Sequence, residues 1–281
     1  MVSGNIVITG SSSGIGQACA LRLDQIGFHV FAGVRNPADG DALKSQASER
    51  LSAILLDVTS EYSIARAVRS VGDAPLAGLV NNAGIFVGGP LEMVPIALWR
   101  KQFEVNVIGQ VAVTQAFLPL LRAGQGRIVN IGSIAGRSAL PFSSPYCSSK
   151  FALEGLTDSL RMELRQWGIR VSIVEPGGVR TPIWEKSMAD ANEALAAVPA
   201  HLIELYGPML AKFKAAAAHA ARHATPVEEV VKAVEHALTS PKPKTRYLVG
   251  SDARQRVKLK WLPDLLGDSL IMKKLNSIRA E

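Results

Sequence analysis

Short apolar runs typical of buried strands alternate along this chain with longer segments whose apolar residues recur at helical spacing. Seven runs predict strands, at residues 5–9, 28–34, 51–57, 77–81, 127–132, 169–175 and 245–250. Helices are predicted between them, among others at 98–122 and 145–167. Strands and helices that alternate in this way form a parallel sheet with right-handed crossovers. We therefore predict an α/β fold with a doubly wound, seven-stranded parallel sheet and helices on both faces.

Two helix starts are visible in the sequence. One helix is expected to begin at Ser60 or Glu61, after the third strand. Another is expected to run to about residue 239, with Thr225 as its N-cap, Pro226 as its first residue and Glu228 completing a capping box.

The composition predicts a single globular domain. The chain has 281 residues, of which 48% are hydrophobic and 20% charged, enough for a substantial core. The net charge of +7 is compatible with an anionic partner or a phosphorylated cofactor. Because no block of like charges stands out before the C-terminal tail, we favour a mildly basic enzyme and expect no nucleic-acid partner.

Cysteine and histidine usage argues against disulfide and metal centres. Cys19 and Cys147 are too few for a disulfide framework or a four-ligand zinc site, and the histidines lack the paired spacing of metal ligands. No signal-peptide pattern opens the chain, and no uninterrupted apolar run reaches the ~18 residues that span a bilayer. We expect a cytoplasmic protein without a metal ion.

A glycine-rich loop follows the first strand. It reads T-G-S-S-S-G-I-G at residues 9–16, and a helical segment comes directly after it. Glycines allow a tight turn and close approach of the backbone to a pyrophosphate, and the helix N-terminus offers free N–H groups. This context predicts a dinucleotide-binding loop.

The end of the second strand indicates which dinucleotide is bound. An acidic residue there would bind the ribose hydroxyls of NAD, whereas an arginine would accommodate the 2′-phosphate of NADP. This chain has Arg35 at that point, and Asp39 comes too late. Ser13 offers a hydroxyl to the same phosphate. We predict that NADP(H) is preferred over NAD(H).

Three polar residues lie close together after the fifth strand. Ser133 ends that strand, and Tyr146 and Lys150 are four residues apart on the helix that follows, so they share one face. A phenol is a poor base at neutral pH, but a nearby ammonium favours the phenolate and lowers its pKa. The trio predicts a tyrosine that acts as a general acid and base.

Taken together, the motifs closely resemble the short-chain dehydrogenase/reductase family. They are T-G-S-S-S-G-I-G at 9–16, N-N-A-G at 81–84, Asn106, Ser133, Y-C-S-S-K at 146–150 and P-G-G-V-R-T at 176–181. The resemblance covers about residues 4–185 and part of the tail, and it implies a single-domain Rossmann-type fold. The sequence F-A-G-V-R-N-P and the long tail look most like the hydroxysteroid and retinol dehydrogenase branch.

The resemblance implies a catalytic tetrad of Asn106, Ser133, Tyr146 and Lys150. Tyr146 would be the acid and base, Ser133 would hydrogen-bond the substrate oxygen, Lys150 would bind the nicotinamide ribose, and Asn106 would hold a relay water. The expected cofactor contacts are Gly10, Ser12, Ser13, Gly14, Ile15, Gly16, Arg35, Asp57, Val58, Asn82, Ala83, Gly84, Tyr146, Lys150, Pro176, Gly177, Val179 and Thr181.

The C-terminal hundred residues are expected to choose the substrate. We divide the single domain 1–281 into a dinucleotide-binding and catalytic core (1–182), a substrate lid (183–225), a last helix and strand (226–250) and a tail (251–281). Apolar residues of the lid suit a small lipophilic alcohol or carbonyl compound; they are Ile183, Trp184, Met188, Leu202, Tyr206 and Met209. The basic, partly apolar tail is compatible with peripheral membrane contact, which we do not favour.

These observations predict an NADP(H)-dependent oxidoreductase that interconverts a hydroxyl and a carbonyl on a lipophilic substrate such as a steroid or retinoid. A 3-oxoacyl thioester reductase shares the tetrad and remains an alternative. A non-catalytic dinucleotide-sensing protein is a third, although such proteins usually lose a catalytic residue. The family resemblance further implies a homodimer or homotetramer formed through the helices at 98–122 and 145–167.

Overall fold

The computed structural model describes residues 4–181 and 198–277. Seven strands form one sheet in which every neighbouring pair is parallel, in the order β3-β2-β1-β4-β5-β6-β7. They are β1 (Asn5–Ile8), β2 (His29–Val34), β3 (Leu51–Leu55), β4 (Leu76–Asn81), β5 (Arg127–Ile131), β6 (Arg170–Pro176) and β7 (Arg246–Val249). The predicted seven-stranded parallel sheet is confirmed.

Ten α-helices of the described residues surround the sheet. They are α1 (Gly14–Gln25), α2 (Pro37–Lys44), α3 (Glu61–Val71), α4 (Ile96–Phe103), α5 (Gly109–Ala123), α6 (Ser144–Glu163), α7 (Ala200–Arg222), α8 (Val227–Thr239), α9 (Ser251–Leu259) and α10 (Asp264–Ser277). A π-helical turn, Glu104–Ile108, joins α4 to α5, and a 3₁₀ turn, Ile134–Gly136, precedes α6. Further 3₁₀ turns lie at Leu91–Met93 and Leu164–Trp167.

Helices cover both faces of the sheet. Ile6 and Ile8 of β1 lie in an apolar cluster with residues of α1 and α8, whereas Val7 lies in a cluster with residues of α3 and α5. Successive side chains of a strand point to opposite faces. A parallel sheet covered on both faces therefore needs strands that are apolar at every position, which is the pattern read from the sequence.

The two predicted helix starts have different outcomes. The start of α3 is confirmed, because the Ser60 hydroxyl accepts a hydrogen bond from the Ser63 N–H at 3.2 Å. The cap predicted for α8 is wrong: the helix begins at Val227, and Thr225 pairs with Val179 in an isolated parallel bridge. The Thr225 N–H donates to the Gly178 carbonyl at 2.8 Å, which holds Thr225 in extended backbone.

One long apolar helix packs on the sheet. By length and composition, Ile96–Ala123 passes as membrane-spanning among the described residues, with a mean hydropathy of 1.2. However, Val113, Phe117 and Leu121 of α5 are fully buried in the cluster on the sheet. We interpret it as a core helix of the domain.

Candidate active site

The crevice between β1 and β4 collects the predicted cofactor residues. The strand order reverses at this point, since β1 is followed spatially by β2 on one side and by β4 on the other. In open parallel sheets, ligands bind where the carboxyl ends of such diverging strands leave a crevice. The glycine loop follows β1 and the N-N-A-G motif follows β4, so both lie at this edge.

The glycine loop has the shape that a phosphate loop requires. Gly10 and Gly14 have positive φ angles, 66° and 59°. A Cβ on Gly16 would lie 2.3 Å from the Gly10 carbonyl oxygen, so only glycine fits there. Helix α1 has no acidic residue in its first turn, and the Ser13 hydroxyl makes no capping bond to the described residues. These groups fit a dinucleotide pyrophosphate.

Thr9 and Asn82 lock this loop to the end of β4. The buried Thr9 hydroxyl accepts hydrogen bonds from the backbone N–H groups of Asn82 and Ala83, both at 2.9 Å. The Asn82 amide donates in turn to the carbonyls of Thr9 and Gly10, at 3.0 and 2.9 Å. The Asn82 side chain therefore shapes the phosphate loop, a role that the sequence did not reveal.

The predicted adenosine residues follow β2 and β3. Arg35 is exposed directly after β2, and Asp39 lies in the first turn of α2. The Asp57 carboxylate accepts from the N–H and the hydroxyl of Thr59, at 2.9 and 2.8 Å. The Val58 side chain lies in the apolar cluster beneath the crevice, 6% exposed, so mainly its backbone is left for a ligand.

Three of the predicted catalytic residues meet where β5 leads into α6. The Lys150 ammonium donates to the Ile131 carbonyl at 2.8 Å, and its nitrogen lies 5.7 Å from the centre of the Tyr146 ring. The Ser133 hydroxyl accepts from the Ala135 N–H at 3.1 Å and hydrogen-bonds the Tyr146 side chain. The Phe86 ring packs against the Tyr146 ring with 5.0 Å between ring centres.

Asn106, the fourth predicted catalytic residue, lies in the π-helical turn and is fully buried. Its Oδ1 accepts from the Ile85 N–H at 2.8 Å, and its Nδ2 donates to the Ile85 carbonyl at 3.0 Å and to the Ser149 hydroxyl at 3.2 Å. The side chain thus connects the loop after β4 to α6. Its function in holding a relay water stays a prediction.

Two neighbouring amides, which sequence reasoning missed, hold the same loop. Gln102 accepts from the Val87 N–H at 2.6 Å and donates to the Ile85 carbonyl at 2.9 Å. Gln110 donates to the Ala83 carbonyl at 3.3 Å. Gln102, Asn106 and Gln110 are spaced four residues apart, and this spacing of amides in an apolar helix is the signal that could have revealed them.

The glycine loop, the N-N-A-G segment and the Ser–Tyr–Lys trio all lie within a stretch of chain that matches a known family. The family model described as short chain dehydrogenase matches residues 4–192. The chain belongs to this family.

Its relatives include dehydrogenases of lipophilic alcohols. The chain is 41% identical over 279 residues to the 17-beta-hydroxysteroid dehydrogenase type 6 of Bos taurus, with 95% of this chain and 87% of that enzyme covered. It is 40% identical over 268 residues to the retinol dehydrogenase 5 of Homo sapiens, with 92% and 83% covered. The predicted family and branch are confirmed, and the chain is an oxidoreductase of CH–OH groups.

A solved structure has the same fold. The short chain dehydrogenase of Burkholderia cenocepacia J2315, in complex with NADP, superposes with a TM-score of 0.74 at 25% sequence identity and covers 96% of this chain and 97% of its own. The predicted Rossmann-type fold is confirmed.

The ionisation of the dehydrogenase's tyrosine differs from the sequence expectation. We predicted that Lys150 lowers the pKa of the Tyr146 phenol. Instead, burial raises the pKa of Tyr146 to about 12, and the hydrogen bond with Ser133 opposes this rise. Burial also disfavours the charged form of Lys150 and lowers its pKa to about 8, although the negative charge of Glu154 raises it. Desolvation exceeds charge attraction because Lys150 is buried and the half-buried Tyr146 packs its ring against Phe86.

The loop after β6 forms the predicted nicotinamide side of the crevice. The Gly177 N–H donates to the Val249 carbonyl at 2.9 Å, and the Gly178 N–H donates to the Asp252 carboxylate at 2.8 Å. The Val179 side chain is 5% exposed and packs in an apolar cluster, so its backbone is what remains for the cofactor. Pro176 ends β6, and Thr181 is the last residue described before residue 198.

Part of the predicted lid packs beside the catalytic helix. Three lid residues, Ile183, Trp184 and Met188, lie outside the described residues. Helix α7 brings the rings of Tyr206 and Phe213 edge-on to Phe142, with centres 6.4 and 5.8 Å away. The Tyr206 hydroxyl donates to the Glu92 carboxylate at 3.0 Å. Helix α7 therefore covers the loop that precedes α6. Leu202, near the start of α7, is buried.

Proposed function

We propose that this dehydrogenase uses NADP(H) to interconvert a hydroxyl and a carbonyl on a lipophilic substrate, with Tyr146 as acid and base. The observation that carries the proposal is the meeting of Ser133, Tyr146 and Lys150 at the carboxyl edge of the sheet, beside a loop that fits a dinucleotide. The hydroxysteroid and retinol dehydrogenases among its relatives support a steroid, a retinoid or a similar compound as substrate.

Each catalytic side chain has a separable task in carbonyl reduction. The Tyr146 phenol is protonated at neutral pH and donates its proton to the developing alkoxide oxygen. The Ser133 hydroxyl accepts a hydrogen bond from the Ala135 N–H, so its own hydrogen is free to be donated to the alkoxide oxygen of the substrate. Lys150 is fixed by the Ile131 carbonyl and retains two N–H groups for the cofactor ribose. NADPH, when bound, supplies the hydride.

A proton must return to Tyr146 after each reduction. Asn106 is buried behind Ser149 and the loop at Ile85, next to the helix that carries Tyr146 and Lys150. We propose that its fixed amide orders the water from which Lys150 and Tyr146 are reprotonated.

The preference for NADP(H) is supported by the end of β2. Arg35 is exposed there, and the acidic residue that follows, Asp39, is displaced into α2. An arginine stabilises the 2′-phosphate by charge and by paired hydrogen bonds. We expect Arg35→Asp to lower kcat/KM for NADPH by about tenfold or more while kcat/KM for NADH is maintained or rises. An unchanged NADPH preference in this variant would contradict the assignment.

A lipophilic substrate is supported by the aromatic residues around Tyr146. Phe86 contacts the Tyr146 ring, and Phe142, in the loop before α6, packs against Tyr206 and Phe213 of α7. A screen of NADPH oxidation and NADP reduction over steroids, retinoids, aliphatic ketones and acyl thioesters tests the proposal. Preferred turnover of an acyl thioester would favour the alternative of a 3-oxoacyl thioester reductase.

Tyr146→Phe tests the chemical step, because it removes the proton donor and keeps the ring. We expect its kcat to fall by at least about 100-fold with little change in NADPH affinity. Wild-type turnover in Tyr146→Phe would refute the mechanism. NADPH binding by the wild-type protein without turnover of any compound in the screen would favour a dinucleotide-sensing protein.

We also propose that the enzyme is a cytoplasmic homodimer or homotetramer formed through α4–α5 and α6. These helices expose Ile108, Phe151 and Met162, with 52%, 42% and 67% of each side chain accessible, which supports burial against a second copy. Light scattering of wild type and of Phe151→Glu tests the assembly, and a monomeric wild type would contradict it. Recovery of the protein with anionic phospholipid vesicles would contradict a purely cytoplasmic enzyme.

A further inference from the structure

Helix α9, in the C-terminal part of the chain, contacts two segments of the active site at once. Asp252, in its first turn, accepts the hydrogen bond from the Gly178 N–H on the nicotinamide side. Arg256, one turn later, donates from its Nη2 to the Ser138 carbonyl, in the segment that leads into α6. Ala253, between them, is fully buried. One helix therefore sets the spacing between the loop after β6 and the loop before the catalytic tyrosine.

The site of Asp252 is built by two glycines. A Cβ on Gly177 would lie 2.1 Å from Asp252 Oδ1, and a Cβ on Gly250 would lie 2.6 Å from the same atom. Gly250 also has a positive φ of 101°, which directs the chain from β7 into α9. A side chain at the first glycine of P-G-G-V-R-T would therefore displace the Asp252 carboxylate.

Arg256 lies in an environment that is unusual for an arginine. Its Nε is buried and makes no hydrogen bond to any residue the structure describes. Its charge acts on Tyr146, Cys147 and Asp252, and burial lowers the pKa of its own guanidinium. For the phenol and for the Cys147 thiol, this charge opposes the larger effect of burial, which raises both pKa values. Burying the Nε of a half-buried arginine without a hydrogen bond has a cost, and we take this cost as a reason to look for a function beyond packing.

We propose that Arg256 and Asp252 are positioning residues for catalysis: Arg256 holds a fixed positive charge against the loop between Ser133 and Tyr146, and Asp252 anchors the nicotinamide loop to the same helix. The inference rests on the proposed role of Tyr146. Both residues lie beyond residue 192, where the match to the family model ends. Arg256 would supply a positive charge, besides that of Lys150, that favours the phenolate when an alcohol is oxidised.

The pH dependence of alcohol oxidation tests the function of Arg256. The substrate is the alcohol with the highest turnover in the screen above, and the variants are Arg256→Met, Arg256→Lys and, as a control on the exposed face of α9, Lys258→Met. In a plot of kcat/KM against pH, losing the charge should shift the rising part of the curve to higher pH by ~0.5 to ~1 unit. At a fixed pH on that part of the curve, kcat/KM should fall by about three- to tenfold. Arg256→Lys and Lys258→Met should keep the wild-type curve.

A merely structural function of Arg256 predicts a different result. In that case Arg256→Met would lower kcat/KM by one factor at every pH, with no shift of the curve along the pH axis, and this outcome would overturn the proposal. Asp252→Ala should raise the KM for NADPH more than it lowers kcat, because it releases the Gly178 N–H. If Asp252→Ala had the same KM for NADPH as wild type, the proposed anchoring function of Asp252 would be overturned.

A measurement without turnover separates this inference from the proposed function. The chain has four tyrosines, so ¹³Cζ-tyrosine NMR gives few signals, and Tyr146→Phe assigns the relevant one. In the full-length protein, followed from pH ~9 to ~12 because burial raises the pKa of Tyr146 to about 12, the shift of the Tyr146 signal toward the phenolate should begin at higher pH in Arg256→Met than in wild type. Identical titration would overturn the inference even if Tyr146→Phe is inactive. Turnover by Tyr146→Phe would refute the proposed mechanism instead.

Discussion

A buried carboxyl pair behind the predicted catalytic lysine makes the stability of the domain dependent on pH. Glu154 lies on α6 one turn after Lys150, and its Oε2 accepts from Arg246 Nε at 3.1 Å. Arg246 also pairs with Asp158 at 2.7 Å and with Glu175 at 3.3 Å. One oxygen each of Glu154 and Glu175 is buried without a hydrogen bond from the described residues. Two buried carboxyl groups, Glu154 and Glu175, thus share the Arg246 guanidinium with Asp158.

Burial, and then the charge of Glu175, raise the pKa of Glu154 from 4.5 to about 7, although Arg246 opposes them. Because the folded state holds this proton more tightly than the unfolded chain, the contribution of Glu154 to stability is greatest below pH 4.5 and is lost as the pH rises through about 7. A tenfold change in proton affinity corresponds to about 1.4 kcal/mol, which sets an upper limit of ~3.4 kcal/mol. Since relaxation of the structure and water penetration weaken such interactions in proteins, we expect ~1–2 kcal/mol.

Glu154→Gln fixes the side chain in a neutral form of the same shape. We expect it to raise the free energy of unfolding by ~1–2 kcal/mol more at pH ~8 than at pH ~5, where the wild-type carboxyl is already protonated. Urea denaturation at both pH values measures this difference, with Glu163→Gln at the exposed end of α6 as the matched control. A variant that is destabilised more at pH ~8 would show that the pair with Arg246 outweighs the cost of burial and would refute the reasoning.

Two further predictions concern the cofactor loop and the π-helical turn. Gly16→Ala should weaken NADPH binding by about tenfold or more, since its Cβ meets backbone at 2.3 Å, whereas Gly155→Ala on α6, with nothing within 4 Å, should leave binding unchanged and stabilise the helix. Fluorescence titration with NADPH measures both, and equal affinities would contradict the loop geometry. Asn106→Asp should lower the free energy of unfolding by ~2 kcal/mol and turnover by at least about tenfold, because it places a carboxylate against the Ile85 carbonyl. Denaturation and steady-state kinetics measure these effects, and wild-type stability would show that the amide donor is dispensable.

Much of the site was predictable because its parts are local. Glycine spacing after β1, the four-residue spacing of Tyr146 and Lys150, and the position of Ser133 each follow from a short stretch of chain and its predicted element. The parallel order of strands then brings these stretches to one edge, since every strand end of a parallel sheet points the same way. The expected α8 cap failed for the converse reason: Thr225 is bonded to Gly178, a residue distant in sequence.

Pairings distant in sequence were decided only by the tertiary structure. Asn81 and Asn130 face each other in adjacent strands and bond at 3.0 Å, and Thr114 and Thr157 extend this buried network into α5 and α6. The direction of the Tyr146 pKa could not be read from the sequence either, because it depends on how much water the folded site admits.

The sequence by itself determined the sheet and predicted the phosphate loop and the proposed reacting groups. Periodicity and residue type act over a few residues, and they are sufficient for those features. The tertiary structure decided the surroundings of the reacting groups: the amides that hold the loop after β4, the carboxyl pair behind Lys150 and Arg256 against the loop before Tyr146. Burial and charge depend on which distant segments pack together, and these two quantities set the ionisation on which the chemistry depends.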